Sequence, residues 1–309
     1  MMNVRVGTSG WNYPTGKGTW NGVFYPARRP RGFDELRYYA EHFDIVEVNS
    51  TFYRMPEAGL AEKWAQRTPP DFQFAIKLYQ KFTHPDMFLA SAGTKDWSLS
   101  VDDVDAFRAG LAPLADAGKL AALLVQFPTS FHAEGAMREY LSWLLEMFAG
   151  YPLAVELRHP SWFAEGAAAE TGARLTHGGA SLVLADSPET STERGPGVFS
   201  TPVPESPVYL RLHGRNYAAW WHHEKSEDRY NYLYSPAELA PFAAAATEAS
   251  QAGRKVTAFM NNHFSAKAVA NAAILRSQLG QTVPGLYERE MVNRYPDLEG
   301  IVTTSGLPL

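Results

Sequence analysis

Eight short apolar runs alternate with helix-like segments across 309 residues, and this alternation predicts an α/β chain folded as a (β/α)8 TIM barrel. The runs fall at 4–8, 43–49, 72–78, 121–127, 152–158, 180–185, 207–213 and 255–261. A second observation is how four of them end. FDIVEVNSTFY (43–53), PLAVELRHPSWF (152–163), PVYLRLHGRNY (207–217) and KVTAFMNNHF (255–264) each pass from alternating apolar and polar residues into polar and then aromatic ones. The chain also shows no internal linker and no repeat, so one domain over residues 1–309 is expected. A doubly wound open sheet is the alternative with the same alternation.

The helical segments follow in order. Residues 34–42 open at Asp34, a residue suited to an N-cap, and 57–67 follow Pro56. Segment 103–116 follows Asp102 and Asp103, and 134–148 carries Met137, Leu141, Leu144, Leu145 and Phe148 at helical spacing. Segment 236–252 has Ser235 as cap and Pro236 in the first helical position. Segment 265–279 opens at Ser265 and closes at Gly280. Between strands six and seven stands DSPETSTERGPGVFSTPVPESP (186–207), rich in Pro, Ser, Thr and Gly. There the sixth helix is expected to be missing or replaced by a loop, which makes the barrel irregular.

Composition narrows the function classes. With a formal net charge of −5, the chain offers no electrostatic reason for strong nucleic-acid binding. Cysteine is absent, which excludes disulfides, iron–sulfur clusters, thiolate zinc sites and cysteine nucleophiles. MMNVRVGTSGW leads almost directly into a strand without a signal-like segment, and no apolar run reaches the roughly 18 residues of a membrane span. A cytoplasmic protein with no membrane partner is the expectation. No GxGxxG or P-loop occurs, so no nucleotide cofactor is predicted.

Strand periodicity then selects a candidate site. Successive side chains of a strand point to opposite faces. If Val46 and Val48 pack on helices, Glu47 and Asn49 face the barrel mouth, and the same phasing turns Lys77, Gln126, Glu156, Arg158, Arg211, His213 and Asn261 there. Asp186 falls out of phase. Two acids and three cations in this set suit an anionic ligand such as a phosphate or carboxylate, with arginine as bidentate partner. Glu156, between Val155 and Leu157, is the first candidate for general acid or base; Glu47 is the second carboxylate, and His213 a proton shuttle. The plainer reading pairs these charges with one another as a structural network. Lys77 has the type of a Schiff-base lysine, but an ion pair with a glutamate is the blander role. Glu47, Glu156, Asp186, His213 and His263 are residue types that bind divalent metals, so a metal is an alternative, although no HxxxH or HxH spacing supports it.

Aromatic residues crowd the loops after the strands. Trp11, Tyr53, Trp162 and Tyr230 are the candidates for stacking on a sugar or base, against the plainer reading that they anchor long loops. The expected partner is thus a small molecule, phosphorylated or sugar-like. ARRPRG, with Arg28, Arg29 and Arg31, is the densest basic cluster and motivates the alternative of a nucleic-acid-binding barrel or metal-dependent phosphodiesterase. A third alternative is a barrel that binds without catalysis.

Nine segments also occur together in a known pattern: VGTSGWNYP (6–14), WNGVFYP (20–26), VEVNSTFYRMP (46–56), KFTHP (81–85), LVQFPTSF (124–131), VELRHPSWF (155–163), YLRLHGR (209–215), DRYNYLYS (228–235) and FMNNHFSAKAVANA (259–272). In order and over nearly the whole chain, they resemble the YecE-like family, domain of unknown function 72. The departure is at LVQFPTSF, where the family tends to carry two consecutive prolines and this chain has Pro128 then Thr129. The resemblance implies a TIM-barrel fold and no particular activity.

Overall fold

In the computed structural model, the structure describes residues 3–188, 207–222 and 225–305. Eight parallel strands follow one another in sequence order and close into a barrel: β1 (Val4–Ser9), β2 (Ile45–Val48), β3 (Gln73–Lys77), β4 (Leu120–Gln126), β5 (Leu153–Glu156), β6 (Ala180–Asp186), β7 (Val208–Leu212) and β8 (Val256–Met260). Each lies within two residues of its expected run. Every position of β2, β5 and β7 is buried, as in parallel strands covered on both faces. Glu47, Glu156 and Arg211 are therefore buried along with their apolar neighbours.

The helices are α1 (Glu35–Ala40), α2 (Ser50–Tyr53), α3 (Ala58–Gln66), α4 (Pro85–Ala92), α5 (Val101–Asp116), α6 (Gly135–Met147), α7 (Ala167–His177), α8 (Tyr217–Trp221), α9 (Pro236–Gln251), α10 (Lys267–Gln278) and α11 (Arg289–Arg294). A short parallel pair, β9 (Leu286–Tyr287) and β10 (Thr303–Thr304), stands near the end. Asp34 caps α1 by accepting from the Arg37 amide, and Ser235 with Glu238 forms a capping box on α9. Two helix starts differ from expectation. Ser100 caps α5, two residues before Asp102: its hydroxyl accepts from the Asp103 amide, and the Asp103 carboxylate accepts from the Ser100 amide. Ser265 does not cap α10: it and Ala266 adopt left-handed backbone, φ +54° and +62°, so the helix begins at Lys267. Helix α7 has no counterpart among the expected segments, since its alanine-rich AAAETGARLTH carries one large aliphatic residue. The expectation of a missing sixth helix concerns residues 189–206, which lie outside the described residues.

The chain falls into two compact units. One holds the segments up to Glu47 and from Leu210 onward, with the end of β6 from Ala185; the other is built on Val48–Leu184. In the first, Phe24 is enclosed by Trp20, Tyr25, Tyr39, Phe43 and Tyr287. In the second, Phe82, Phe107 and Phe148 meet edge to face. There α5 comes close to the turn before α3 at Gly110, where a Cβ would lie 2.2 Å from the Pro56 carbonyl oxygen. Lys119, buried at the start of β4, donates to the carbonyls of Ala65, Thr68 and Pro69 and to the Thr68 hydroxyl at 2.7–2.9 Å, fastening the end of α3.

Candidate functional site

In the unit built on Val48–Leu184, three neighbouring strands end in polar side chains. Gln126 and Glu156 are register partners of β4 and β5, and Lys77 ends β3 opposite Leu124, two residues before Gln126. Glu156 and Gln126 are buried, at 1% and 6% exposure, and Lys77 is half-buried. Arg158 Nε donates to Glu156 Oε1 at 2.8 Å. The Lys77 ammonium lies 3.9 Å from the centre of the Phe52 ring. His84 meets the same ring edge-on at 4.9 Å, and its Nδ1 is 2.8 Å from the Thr83 hydroxyl. Burial, then the charges of Lys77 and Arg158, lower the His84 pKa to about 3 against the opposing pull of Glu156. Asn49 precedes α2 without capping it, and its Oδ1 is buried with no hydrogen-bond partner among the described residues.

The other unit holds further paired polar groups. The Arg211 guanidinium grips both oxygens of Glu47, Nη2 to Oε1 at 2.7 Å and Nε to Oε2 at 2.9 Å. Such a grip makes the carboxylate a holder of the arginine. Asp186 receives Arg215 through Nε and Nη2 at 2.9–3.2 Å and the Tyr234 hydroxyl at 2.6 Å. Burial and the Asp186 charge raise the Tyr234 pKa well above its ordinary value. Glu238, which caps α9, accepts from Tyr232 at 2.5 Å and lies 3.6 Å from Arg215. Gly214 gives the backbone its turn between His213 and Arg215: its φ is +94°, and a Cβ would stand 2.7 Å from that of Tyr232.

His213 is buried at the end of β7 with Asn261 Nδ2 at 2.8 Å from its Nδ1. The amide donates there, so a neutral ring carries its proton on Nε2. Register places Ser9 beside Glu47 across β1 and β2, and pairs Thr8 with Met260, one residue before Asn261. Ser9 Oγ, Asn262 Oδ1 and His263 Nδ1 are buried polar atoms with no hydrogen-bond partner among the described residues. Asn271 of α10 ties the loop after α8 in place. Its Oδ1 accepts from the Tyr234 amide and Asn262 Nδ2, and its Nδ2 donates to the Tyr234 carbonyl, at 2.7–3.0 Å.

The structure divides the expected residues between these two groups. Lys77, Gln126, Glu156 and Arg158 lie together in one unit, and Glu47, Arg211, His213 and Asn261 in the other. Asp186, out of strand phase, still reaches a polar partner because Arg215 comes to it. Trp162 needs correction as a stacking face: it is 1% exposed, packs flat on Phe131 and donates through Nε1 to the Phe131 carbonyl. Trp20 is likewise an anchor, donating to the His263 carbonyl. Tyr53 is open to solvent, Trp11 is partly open, and Tyr230 packs against Trp220 and His263. In the basic loop, Arg29 is bound by Glu35 at 2.6 Å, while Arg28 and Arg31 are exposed. Among the described residues, no group of three or more His, Asp or Glu side chains is placed to hold a metal ion.

Arg215, Tyr234, Asn271 and His84 lie outside the residues that strand phase selected, although His84 follows a strand end and Tyr234 is one of the loop aromatics. Arg215 had a signal, since it continues the period-two series Arg211, His213, Arg215. The other three come from loops or a helix, where no strand phase applies.

Comparison with known proteins agrees with this barrel. The family model described as "Protein of unknown function DUF72" matches residues 5–294. The UPF0759 protein YunF of Bacillus subtilis strain 168 is 28% identical over 292 residues, covering 93% of this chain and 99% of YunF. A DUF72 family protein from Thermotoga maritima MSB8, solved by crystallography, is 32% identical with a TM-score of 0.72, over 90% of this chain and 99% of that one. D-psicose 3-epimerase, solved in the presence of D-fructose, covers 89% of this chain and 99% of its own at a TM-score of 0.51 and 11% identity, a likeness of fold alone. No helix among the described residues is long and apolar enough to cross a membrane.

Proposed function

The chain belongs to the DUF72 family of proteins of unknown function, and on that premise we propose that it is an enzyme acting on a small polar anionic substrate, such as a sugar phosphate, at the strand ends that carry Lys77, Gln126 and Glu156. The observation that carries this reading is this set of strand ends. Three consecutive strand ends of a parallel barrel carry a cation, an amide and a carboxylate, Gln126 in register with Glu156 and Lys77 in register with Leu124, two residues before Gln126, at the end of the strands where barrel enzymes do their chemistry. Lys77 and Arg158 attract the anion, and the Gln126 amide hydrogen-bonds a substrate hydroxyl. Glu156, oriented by Arg158 at 2.8 Å, moves the proton. The unsatisfied Oδ1 of Asn49 is a further acceptor for a hydroxyl in the same unit.

A thermal-shift panel of neutral sugars, sugar phosphates, nucleotides and oligonucleotides, with and without divalent metals, tests it. A ligand far above its Kd stabilises by a few kcal/mol (about 2.7 at a hundredfold excess). Sugar phosphates should raise the melting temperature and neutral sugars should not. The response should vanish in Lys77→Met, and Glu156→Gln should bind but not turn over the ligand found. An equal response of wild type and Lys77→Met to every ligand sinks the proposal, and a response confined to oligonucleotides transfers it to the nucleic-acid alternative.

A further inference from the structure

We propose that His84 adjusts the charge of this site to a dianion, standing neutral without ligand and taking up one proton when a phosphate-like dianion binds beside Lys77 and Arg158. The inference rests on the reading of the site given above and names the class of substrate group it takes. His84 and Lys77 share one ring: the ammonium stands 3.9 Å from the centre of Phe52, and the imidazole lies perpendicular to it with ring centres 4.9 Å apart. The charged groups acting on His84 are Lys77 from β3 and Arg158 and Glu156 from the end of β5. With His84 neutral these groups sum to one positive charge. With His84 protonated they sum to two, the complement of a phosphate monoester dianion.

The hydrogen-bond partner of His84 permits the change. Thr83 presents a hydroxyl to Nδ1 at 2.8 Å. A hydroxyl donates to a neutral ring nitrogen and, after rotation, accepts from a protonated one. His213 and His42 lack this freedom. His213 Nδ1 faces an Asn261 amide donor, which suits the neutral ring only. Both nitrogens of His42 face backbone carbonyls, of Tyr38 and Leu286, which only accept. Lys77 and Arg158 oppose protonation of His84 in the free protein, and a dianion placed among them removes that opposition.

Sulfate is the probe, because it is a dianion throughout the pH range used and does not itself exchange protons there. Titration calorimetry of the full chain in buffers of differing ionisation enthalpy counts the protons bound per sulfate. Uptake should rise toward one as pH is lowered from 8 to 5.5, with affinity strengthening toward about tenfold per pH unit, as linkage of a single proton requires. His84→Gln should bind sulfate more weakly and without proton uptake. In the wild type, the ring nitrogen resonances of His84 should move to imidazolium positions on saturation, a readout that does not depend on how the variant folds. Sulfate binding without proton uptake, or with uptake retained in His84→Gln, overturns the role of His84 and leaves the anion site standing. Absence of sulfate and phosphate binding to the wild type overturns both.

Discussion

Arg211 holds Glu47 by two parallel hydrogen bonds of 2.7 and 2.9 Å, and neither residue is more than 1% exposed. Removing one partner of such a pair strands a charge out of water at a cost of about 3–5 kcal/mol, whereas replacing both with apolar groups of similar volume is often neutral or stabilising. Glu47→Leu should therefore destabilise the fold by ~3–5 kcal/mol. The double variant Glu47→Leu/Arg211→Met should recover most of that loss. Urea denaturation with a double-mutant cycle measures both, and additive losses would contradict the pairing.

Asn271 should prove the most costly helix residue to replace on the side facing the loop of Tyr234. Asn271→Leu leaves the Tyr234 amide and carbonyl without their partner and takes from the Asn262 amide group one of its two acceptors, the other being the Tyr232 carbonyl. A loss of ~3 kcal/mol is expected, given that each buried group left unsatisfied costs about 1–3. Amide exchange at Tyr234 should quicken as well. Stability unchanged and exchange unaltered would show that the loop is held by other means.

Stability should fall on mild acidification through His263. Burial lowers its pKa to about 4 from an ordinary 6.5, so the unfolded chain takes up the proton first. Its contribution is complete above about pH 6.5, declines as pH falls, and is lost below about 4. The ring stacks on Tyr13 at 4.3 Å and 9°, so His263→Phe keeps the aromatic contact while removing the titration. Melting temperatures from pH 7 to 4 should drop more steeply for the wild type than for His263→Phe. Parallel profiles would remove His263 from the pH response.

How much of this was legible in the sequence depends on the element. The eight strands were readable because an interior parallel strand is a short aliphatic run, and such runs are bounded by turns on both sides. Strand phase also selected Lys77, Gln126, Glu156, Arg211 and His213, since each follows an aliphatic residue. Phase could not say which charges would pair. Glu47 meets Arg211, 164 positions away, and only closure of the barrel decides that. Trp162 illustrates the opposite error: an aromatic in a loop reads alike whether it faces solvent or lies flat on Phe131. His84 sits in a turn, KFTHP, where neither period applies, and its meaning comes from the charges placed around it.

The left-handed pair Ser265 and Ala266 bears on any attempt to transplant this end of β8 to another scaffold. Non-glycine residues in that conformation cost roughly 1–2 kcal/mol each. Here the Ser265 amide donates to Gly18, its carbonyl accepts from Tyr295 and its hydroxyl from Arg294, so the bend is enforced from both ends of the chain. A graft of FMNNHFSA alone would relax. The segment is portable only together with the distant loop that carries Gly18 and the end of α11 that carries Arg294 and Tyr295.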